Sequence, residues 1–66
     1  MQVVVNGNNQ TLDEAATVQD LIGVLALGSG KIAIELNREI VSRSRYSQQI
    51  LHAGDEVEIV QAIGGG

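Results

Sequence analysis

The spacing of apolar residues changes within residues 17–36, which read TVQDLIGVLALGSGKIAIEL. In the first half, apolar residues recur at intervals of three and four, which predicts an amphipathic α-helix. Thr17 can cap the first free amides of this helix, and Asp20 is placed to complete a capping box. Gly23 costs about 1 kcal/mol relative to Ala inside a helix, so the helix depends on tertiary contacts. The predicted apolar stripe comprises Val18, Leu21, Ile22 and Leu25.

The second half of this segment contains the clearest strand pattern in the chain. Gly28-Ser29-Gly30 is expected to end the helix, with Gly28 suited to a left-handed carboxyl-terminal cap. From Lys31 onward, apolar residues recur at every second position, which predicts a β-strand with one buried face. In this strand Ile32, Ile34 and Leu36 point to one side, and Ala33 and Glu35 point to the other.

The amino end predicts a β-hairpin. Apolar residues alternate over residues 1–5, as they do on one face of a strand. Asn6-Gly7 follows, and this pair favours a two-residue hairpin turn because both residues tolerate a positive φ. A second strand is expected over about residues 10–13, with Leu12 facing inward.

The carboxyl half predicts two more strands. Asn37-Arg38 indicates a turn, from which residues 39–41 return as a short strand. Residues 42–49 are polar, and we expect a loop or a single helical turn with Tyr46 lying against the body. A last strand is expected from about residue 56 to Ala62 or Ile63. In it Val57 and Ile59 point inward, and Glu58 and Val60 point outward.

The order of these elements predicts the fold class. One helix can cover one face of a mixed sheet, and a right-handed crossover places the last strand beside the first, in parallel. The sequence therefore predicts an α+β fold of the β-grasp, ubiquitin-like type, with a mixed sheet and one main helix. We expect a single domain over residues 1–63, followed by a flexible glycine tail over residues 64–66.

Composition argues against several classes of function. The 66 residues carry a formal net charge of −4, which disfavours nucleic acid and anionic membranes because phosphate binding requires clustered Lys and Arg. Without cysteine, and with His52 as the one histidine, the chain has little material for a metal site or a nucleophilic relay. A chain of this size buries only about 60% of its unfolded surface, so an enclosed active site is hard to build. We expect no bound metal or cofactor and no enzyme.

Nothing in the sequence predicts export or membrane insertion. Residues 1–7 lack the basic and long apolar regions of a signal peptide. No stretch approaches the roughly 20 apolar residues that a membrane-spanning helix needs. We therefore expect a cytoplasmic protein.

Three glycines, Gly64, Gly65 and Gly66, follow the last predicted strand directly. Because glycine has no Cβ, such a segment can thread a narrow tunnel and bring a terminal carboxylate close to a nucleotide phosphate. Attack of that carboxylate on the α-phosphate of ATP would form an acyl-adenylate, from which a sulfur nucleophile would displace AMP. The product would be a thiocarboxylate at Gly66. A terminal run of glycine is also often an inert flexible end, and this second interpretation stays open.

Five segments of the sequence, taken together with its length and element order, are typical of one family. They are MQVVV at 1–5, TVQDL at 17–21, IAIELNREIV at 32–41, GDEVEI at 54–59 and the Gly65-Gly66 end. Through these segments the chain resembles the ubiquitin-like sulfur carrier family over essentially its whole length. The resemblance is greatest to the carriers of thiamine biosynthesis.

This resemblance implies a carrier without catalytic residues of its own. It implies that an E1-like adenylyltransferase activates Gly66 with ATP, and that a sulfur donor then converts Gly66 to the thiocarboxylate. The sulfur would pass to thiazole synthase, which builds the thiazole ring of thiamine. By the same resemblance Gly65 is the neighbour of the acyl site, and Gly64 lengthens the tail.

Val4, Val60 and Ala62 are the candidates for partner docking. They are expected to face away from the helix and to form a small apolar patch if the first and last strands are neighbours. We interpret this patch as a docking face for the adenylating enzyme and the acceptor enzyme. Ordinary surface hydrophobicity is the alternative interpretation.

Three other functions stay open at the level of sequence. The chain could be a sulfur carrier of another pathway, such as the small subunit of molybdopterin synthase. It could be a ubiquitin-like modifier joined to lysines of target proteins. It could also be a β-grasp binding module whose terminal glycines are inert.

Overall fold

The computed structural model describes residues 1–27 and 31–61. Within these ranges the chain forms one α-helix, one 3₁₀ turn and five strands. The helix α1 spans Val18–Val24, and the 3₁₀ turn spans Arg43–Arg45. The strands are β1 (Gln2–Val5), β2 (Asn8–Thr11), β3 (Ile32–Leu36), β4 (Glu39–Val41) and β5 (Glu56–Gln61).

The five strands form one mixed sheet in the order β2-β1-β5-β3-β4. β1 and β5 are parallel neighbours, with Val4 aligned with Glu56 and Val5 aligned with Val57. The other three pairings, β1 with β2, β3 with β4 and β3 with β5, are antiparallel. The predicted parallel placement of the last strand beside the first is therefore confirmed.

Aliphatic side chains fill the space between α1 and one face of the sheet. Val18 and Leu21 of α1 have no exposed surface, and neither have Val3 of β1 and Ile34 of β3. Complete burial of one such side chain contributes about 1.5–3 kcal/mol, so these contacts account for much of the stability of a small domain. The remaining buried residues are Val5, Leu12, Ala16, Ile22, Val41, Tyr46, Leu51 and Val57.

The predicted capping box starts α1. The Asp20 N–H donates to Thr17 Oγ1 at 3.1 Å, and the Thr17 N–H donates to Asp20 Oδ2 at 2.9 Å. Two amide groups near the helix start are thereby satisfied, and the carboxylate lies at the positive end of the helix dipole. The alternation predicted for β3 is also confirmed, since Ile34 is buried while Ala33 is exposed.

α1 ends at Val24, and the predicted end at Gly28-Ser29-Gly30 was wrong. The chain leaves helical geometry at Ala26, whose φ is 55°. Leu25, predicted within the apolar stripe, is the carboxyl-terminal cap residue and packs, half-buried, against the core. The predicted left-handed cap at Gly28 lies outside the described residues.

A Schellman motif closes the last turn of α1. The Ala26 N–H donates to the Gly23 carbonyl at 3.1 Å, and the Leu27 N–H donates to the Ile22 carbonyl at 3.3 Å. These bonds satisfy carbonyl groups that the end of the helix leaves without partners. Leu27 then packs against the core, which is the physical reason for a turn at this position rather than a longer helix.

β2 lies two residues earlier than predicted, at Asn8–Thr11 instead of residues 10–13. The turn at Asn6-Gly7 has positive φ at both residues, so the pairing resumes immediately with Asn8 opposite Val5. A tight two-residue turn leaves no further residues between the strands, whereas the predicted start of β2 left two more residues in the turn. Leu12 is buried as predicted, but it follows the strand.

The segment after β3 agrees with its predictions. Asn37 and Arg38 form the turn, with φ of 50° and 73°, and β4 returns from it. The 3₁₀ turn follows, and Tyr46 is buried against the core. β5 starts at Glu56 as predicted, and its predicted continuation to Ala62 or Ile63 lies outside the described residues.

Candidate functional site

β5 carries the chain toward the glycine tail. Its last residue, Gln61, is aligned with Ile32 of β3. The candidate acyl residue Gly66 lies outside the described residues, together with Ala62, Ile63, Gly64 and Gly65. The predicted flexibility of the tail concerns residues 64–66 and therefore also lies outside the described part of the chain. What the structure describes of this site is therefore β5, the strand that precedes the tail, and its hydrogen bonds within the sheet.

β5 is a central strand with a neighbour on each side. Five aligned pairs join it to β3, from Leu36 with Val57 to Ile32 with Gln61. Its pairing with β1 is shorter and extends from Val4 with Glu56 to Val5 with Val57. Central strands with long pairing are among the last parts of a domain to open, so β5 is a stable base for a segment that follows it.

Asn6 extends the pairing of β5 past the end of β1. Its N–H donates to the Val57 carbonyl at 2.9 Å. Its side-chain oxygen accepts a bond from the Ile59 N–H at 2.8 Å, and its side-chain nitrogen donates to the Ile59 carbonyl at 3.1 Å. The side-chain amide thus takes the place of a strand residue and holds β5 closer to its carboxyl end.

Asn37 holds the other end of β5 in a similar way. Its N–H donates to the Glu56 carbonyl at 2.7 Å, and its Oδ1 accepts from the Glu56 N–H at 2.9 Å. Its Nδ2 donates to Asp55 Oδ1 at 3.2 Å, while Asp55 Oδ2 accepts from the His52 N–H at 2.8 Å. The turn before β5 and the turn after β3 are therefore joined by side chains.

These two asparagines were not identified as site residues from sequence. Both were interpreted only as turn residues, since Asn tolerates positive φ. Their bonds to β5 span 53 positions for Asn6 and 19 for Asn37. The sequence offered one indication of this role, namely an asparagine in the turn at the end of each of two strands. It did not indicate which backbone groups the side-chain amides bind.

The sheet face opposite α1 is the second part of the candidate site, and we call it the open face. On β5 it presents Glu56, Glu58 and Val60, and on β3 it presents Ala33 and Glu35, because the alternate residues of both strands point into the core. Val60 is aligned with Ala33, and Glu58 is aligned with Glu35. The open face therefore carries an apolar pair and, two positions away, a pair of carboxylates.

The structure does not place Val4 and Val60 side by side. Both lie on the open face, but Val4 is aligned with Glu56, and Val60 lies four residues further along β5. Four residues of a strand correspond to about 13 Å. The docking role of Val4, Val60 and Ala62 stays a prediction. Val4 lines a shallow depression with charged neighbours, namely Glu35, Arg38, Glu56 and Glu58.

In the described ranges, 1–27 and 31–61, no group of three or more His, Asp or Glu side chains is arranged to hold a metal ion. No helix in the described part of the chain is both long enough and apolar enough to cross a membrane.

Residues 3–66 match the model of the ThiS family. The chain belongs to the ThiS family. The match includes the helix, the three glycines at 64–66 and every residue of the sheet except Gln2. The family membership predicted from the five sequence segments is thereby confirmed.

The relatives of this chain include proteins named sulfur carrier and proteins named thiazole synthase. A protein of Escherichia coli (strain K12), named sulfur carrier protein ThiS, is 30% identical over 66 residues, and the match covers all of both chains. A protein of Paramagnetospirillum magneticum, named thiazole synthase, is 44% identical over 66 residues. That match covers all of this chain but 20% of the relative, so the chain spans a fifth of the thiazole synthase.

A solved structure of a ThiS family member has the same fold. It is the crystal structure of a thiamine biosynthesis protein (ThiS) from Geobacter metallireducens, with a TM-score of 0.83 and 32% sequence identity. The match covers all of both chains. The predicted β-grasp fold is therefore confirmed.

Proposed function

We propose that this chain is a sulfur carrier of thiamine biosynthesis and that Gly66 carries the sulfur as a terminal thiocarboxylate. The observation that carries the proposal is the family match, which extends to Gly66. The end-to-end match to the Escherichia coli sulfur carrier supports it further. The chain is then a protein substrate of other enzymes and not an enzyme itself.

The chemistry at Gly66 requires a partner that activates the carboxylate. In the proposed sequence, a carboxylate oxygen of Gly66 attacks the α-phosphate of ATP, and pyrophosphate leaves. The resulting acyl-adenylate has AMP as its leaving group, and a sulfur donor displaces AMP to form the thiocarboxylate. An E1-like adenylyltransferase provides the site for this activation, and neither ATP nor sulfur needs a resident site on the carrier.

The carrier's own contribution is to present the tail from a rigid base. β5 is paired with β3 from Val57 to Gln61 and is held by Asn6 near its carboxyl end. Gly64 and Gly65 add no side chains to the segment before Gly66, so a narrow tunnel can admit it. These features fit an acyl group that must enter the active site of another protein.

We further propose that thiazole synthase is the acceptor of the sulfur. The relative named thiazole synthase contains a segment that corresponds to this entire chain. A carrier and its acceptor in one polypeptide would meet at high effective concentration, which favours transfer between them. We expect the carrier to act in the cytoplasm, together with these enzymes.

Intact mass spectrometry tests the proposal. The full chain is incubated with the adenylyltransferase of the same organism, ATP and a sulfide source, and we expect one oxygen to be replaced by sulfur. Fragmentation should locate the sulfur at Gly66. A variant that lacks Gly66 is the control, and it should fold equally well and stay unmodified. An unchanged mass of the complete chain under these conditions would contradict the proposal.

A further inference from the structure

The open face has an apolar region beside the end of β5. Val60 is 62% exposed and is aligned with Ala33, which is also exposed. With Lys31 and Ile32 these two residues line a shallow depression. An exposed valine next to an exposed alanine is apolar surface at the position where β5 leads into the tail.

The length of the tail limits where a partner can bind. Residues 62–66 follow Gln61, and five residues reach at most about 18 Å when fully extended. An enzyme that takes Gly66 into its active site must therefore contact the carrier near the end of β5. The core-side face of the sheet is covered by α1, so the open face is the sheet surface that such an enzyme can reach there.

A pair of carboxylates adjoins the apolar region. Glu35 and Glu58 are aligned across β3 and β5, and like charges directly opposite each other destabilise a sheet. Together with Glu56 and Arg38 they line a second depression, separate from the one at Val60, whose lining carries three carboxylates and one guanidinium.

In the part of the chain that the structure describes, neither carboxylate of this pair lies within ion-pair distance of a basic group, Arg38 of the same depression included. Within residues 1–27 and 31–61, the ion pairs join the Met1 amine to Glu14 at 3.5 Å and His52 to Asp55 at 3.9 Å. Glu35 and Glu58 take part in neither. A basic side chain from a partner would remove the repulsion between them, so the charge of the open face is complementary to a basic protein surface.

We propose that the open face is the docking surface for thiazole synthase, an inference that rests on the proposed function. Ala33 and Val60 pack against an apolar surface of the synthase, and Glu35 and Glu58 receive a lysine or arginine of that enzyme. Thiazole synthase is the chosen partner because the relative of that name contains this whole domain. Of the residues predicted for docking from sequence, Val60 is central to this surface, Val4 lines the depression that contains Glu35 and Glu58, and Ala62 lies outside the described residues.

Two valines of similar exposure provide a matched test of the apolar region. Val60 is 62% exposed on the open face, and Val24 is 58% exposed on α1. The affinity of the full-length chain for thiazole synthase from the same organism is measured by titration calorimetry. We expect Val60→Asp to raise Kd by at least about tenfold, as for a residue near the centre of an interface. We expect Val24→Asp to leave Kd within about twofold, and both variants to keep the unfolding midpoint of the wild type.

The carboxylate pair is tested separately by charge reversal. Glu58→Lys should slow association with the synthase and reduce its dependence on salt, because attraction between the two surfaces speeds their encounter. Asp13→Lys makes the same change in net charge at an exposed residue of the loop between β2 and α1. It should slow association much less.

The outcomes separate this inference from the proposed function. Equal affinities of the wild type, Val60→Asp and Glu58→Lys for the synthase would overturn the docking surface, whether or not Gly66 acquires sulfur. If the wild type self-associates and Val60→Asp abolishes this without changing synthase binding, the open face is an interface between two copies of the chain, and the docking surface is also overturned. If Val60→Asp weakens synthase binding but Gly66 of the wild type acquires no sulfur, the proposed chemistry is overturned and the docking surface is not.

Discussion

At the scale of the residue, Asn6 and Asn37 each perform two tasks. Both adopt a positive φ in a two-residue turn, with values of 49° and 50°. Both also use the side-chain amide to pair with the backbone of β5. Asparagine suits this combination because it tolerates the left-handed conformation and carries a donor and an acceptor at the spacing of a peptide group.

Replacement of Asn6 tests this double role. Asn6→Ala should lower the free energy of unfolding by about 2 kcal/mol, because two hydrogen bonds to Ile59 are lost and alanine is strained at positive φ. Urea denaturation followed by circular dichroism measures the change. Asn6→Gly is the control, since it loses the bonds without the strain and should cost about half as much. Two variants as stable as the wild type would show that these bonds contribute nothing.

At the scale of the element, α1 depends on its ends. It has seven residues, and isolated helices shorter than about 12–15 residues are marginal in water. The capping box at Thr17 and Asp20 stabilises its start, and the Schellman motif at Ala26 stabilises its end. The apolar stripe was predicted correctly at Val18, Leu21 and Ile22, which are all buried.

A single substitution at the end of α1 is expected to stabilise the domain. Ala26 adopts a φ of 55°, a conformation that costs a residue with a Cβ about 1 kcal/mol relative to glycine. Ala26→Gly should therefore raise the free energy of unfolding by about 1 kcal/mol. Ala53→Gly serves as the comparison, because Ala53 is not among the residues with positive φ and its replacement should be neutral or slightly destabilising. A lower stability of Ala26→Gly in thermal unfolding would contradict this account of the helix end.

At the scale of the whole molecule, stability depends on a small aliphatic core. A domain of 66 residues has a free energy of unfolding of about 3–10 kcal/mol, and no Phe or Trp is available to fill its interior. Leu21 is completely buried between α1 and the sheet. A large cavity at this position would remove a substantial part of the free energy of unfolding.

Truncation of Leu21 should bring the domain close to unfolding. Leu21→Ala is expected to cost about 2–5 kcal/mol through lost burial and the cavity left behind. Leu25→Ala, at the half-buried carboxyl-terminal cap of this helix, should cost less than half as much. Urea midpoints of the two variants measure the difference. Equal losses would show that burial at Leu21 does not limit the stability of the domain.

The sequence by itself determined the order of the elements, the aliphatic core and the family, because these depend on local period and on segments such as residues 32–41. It also indicated Gly66 as the candidate acyl residue through resemblance. Its errors at β2 and at the end of α1 were errors of boundary, where turn geometry and the packing of Leu27 outweigh the local pattern.

Only the tertiary structure decided how β5 is held and which outward residues are neighbours. The bonds of Asn6 reach a residue 53 positions away, and no local pattern specifies such a partner. The register of β5 with β3 places Val60 beside Ala33 and Glu58 beside Glu35, while Val4 lies next to Glu56. Alternation assigns a residue to a face, but only strand pairing sets its position along that face, which is why the open face could not be assembled from sequence.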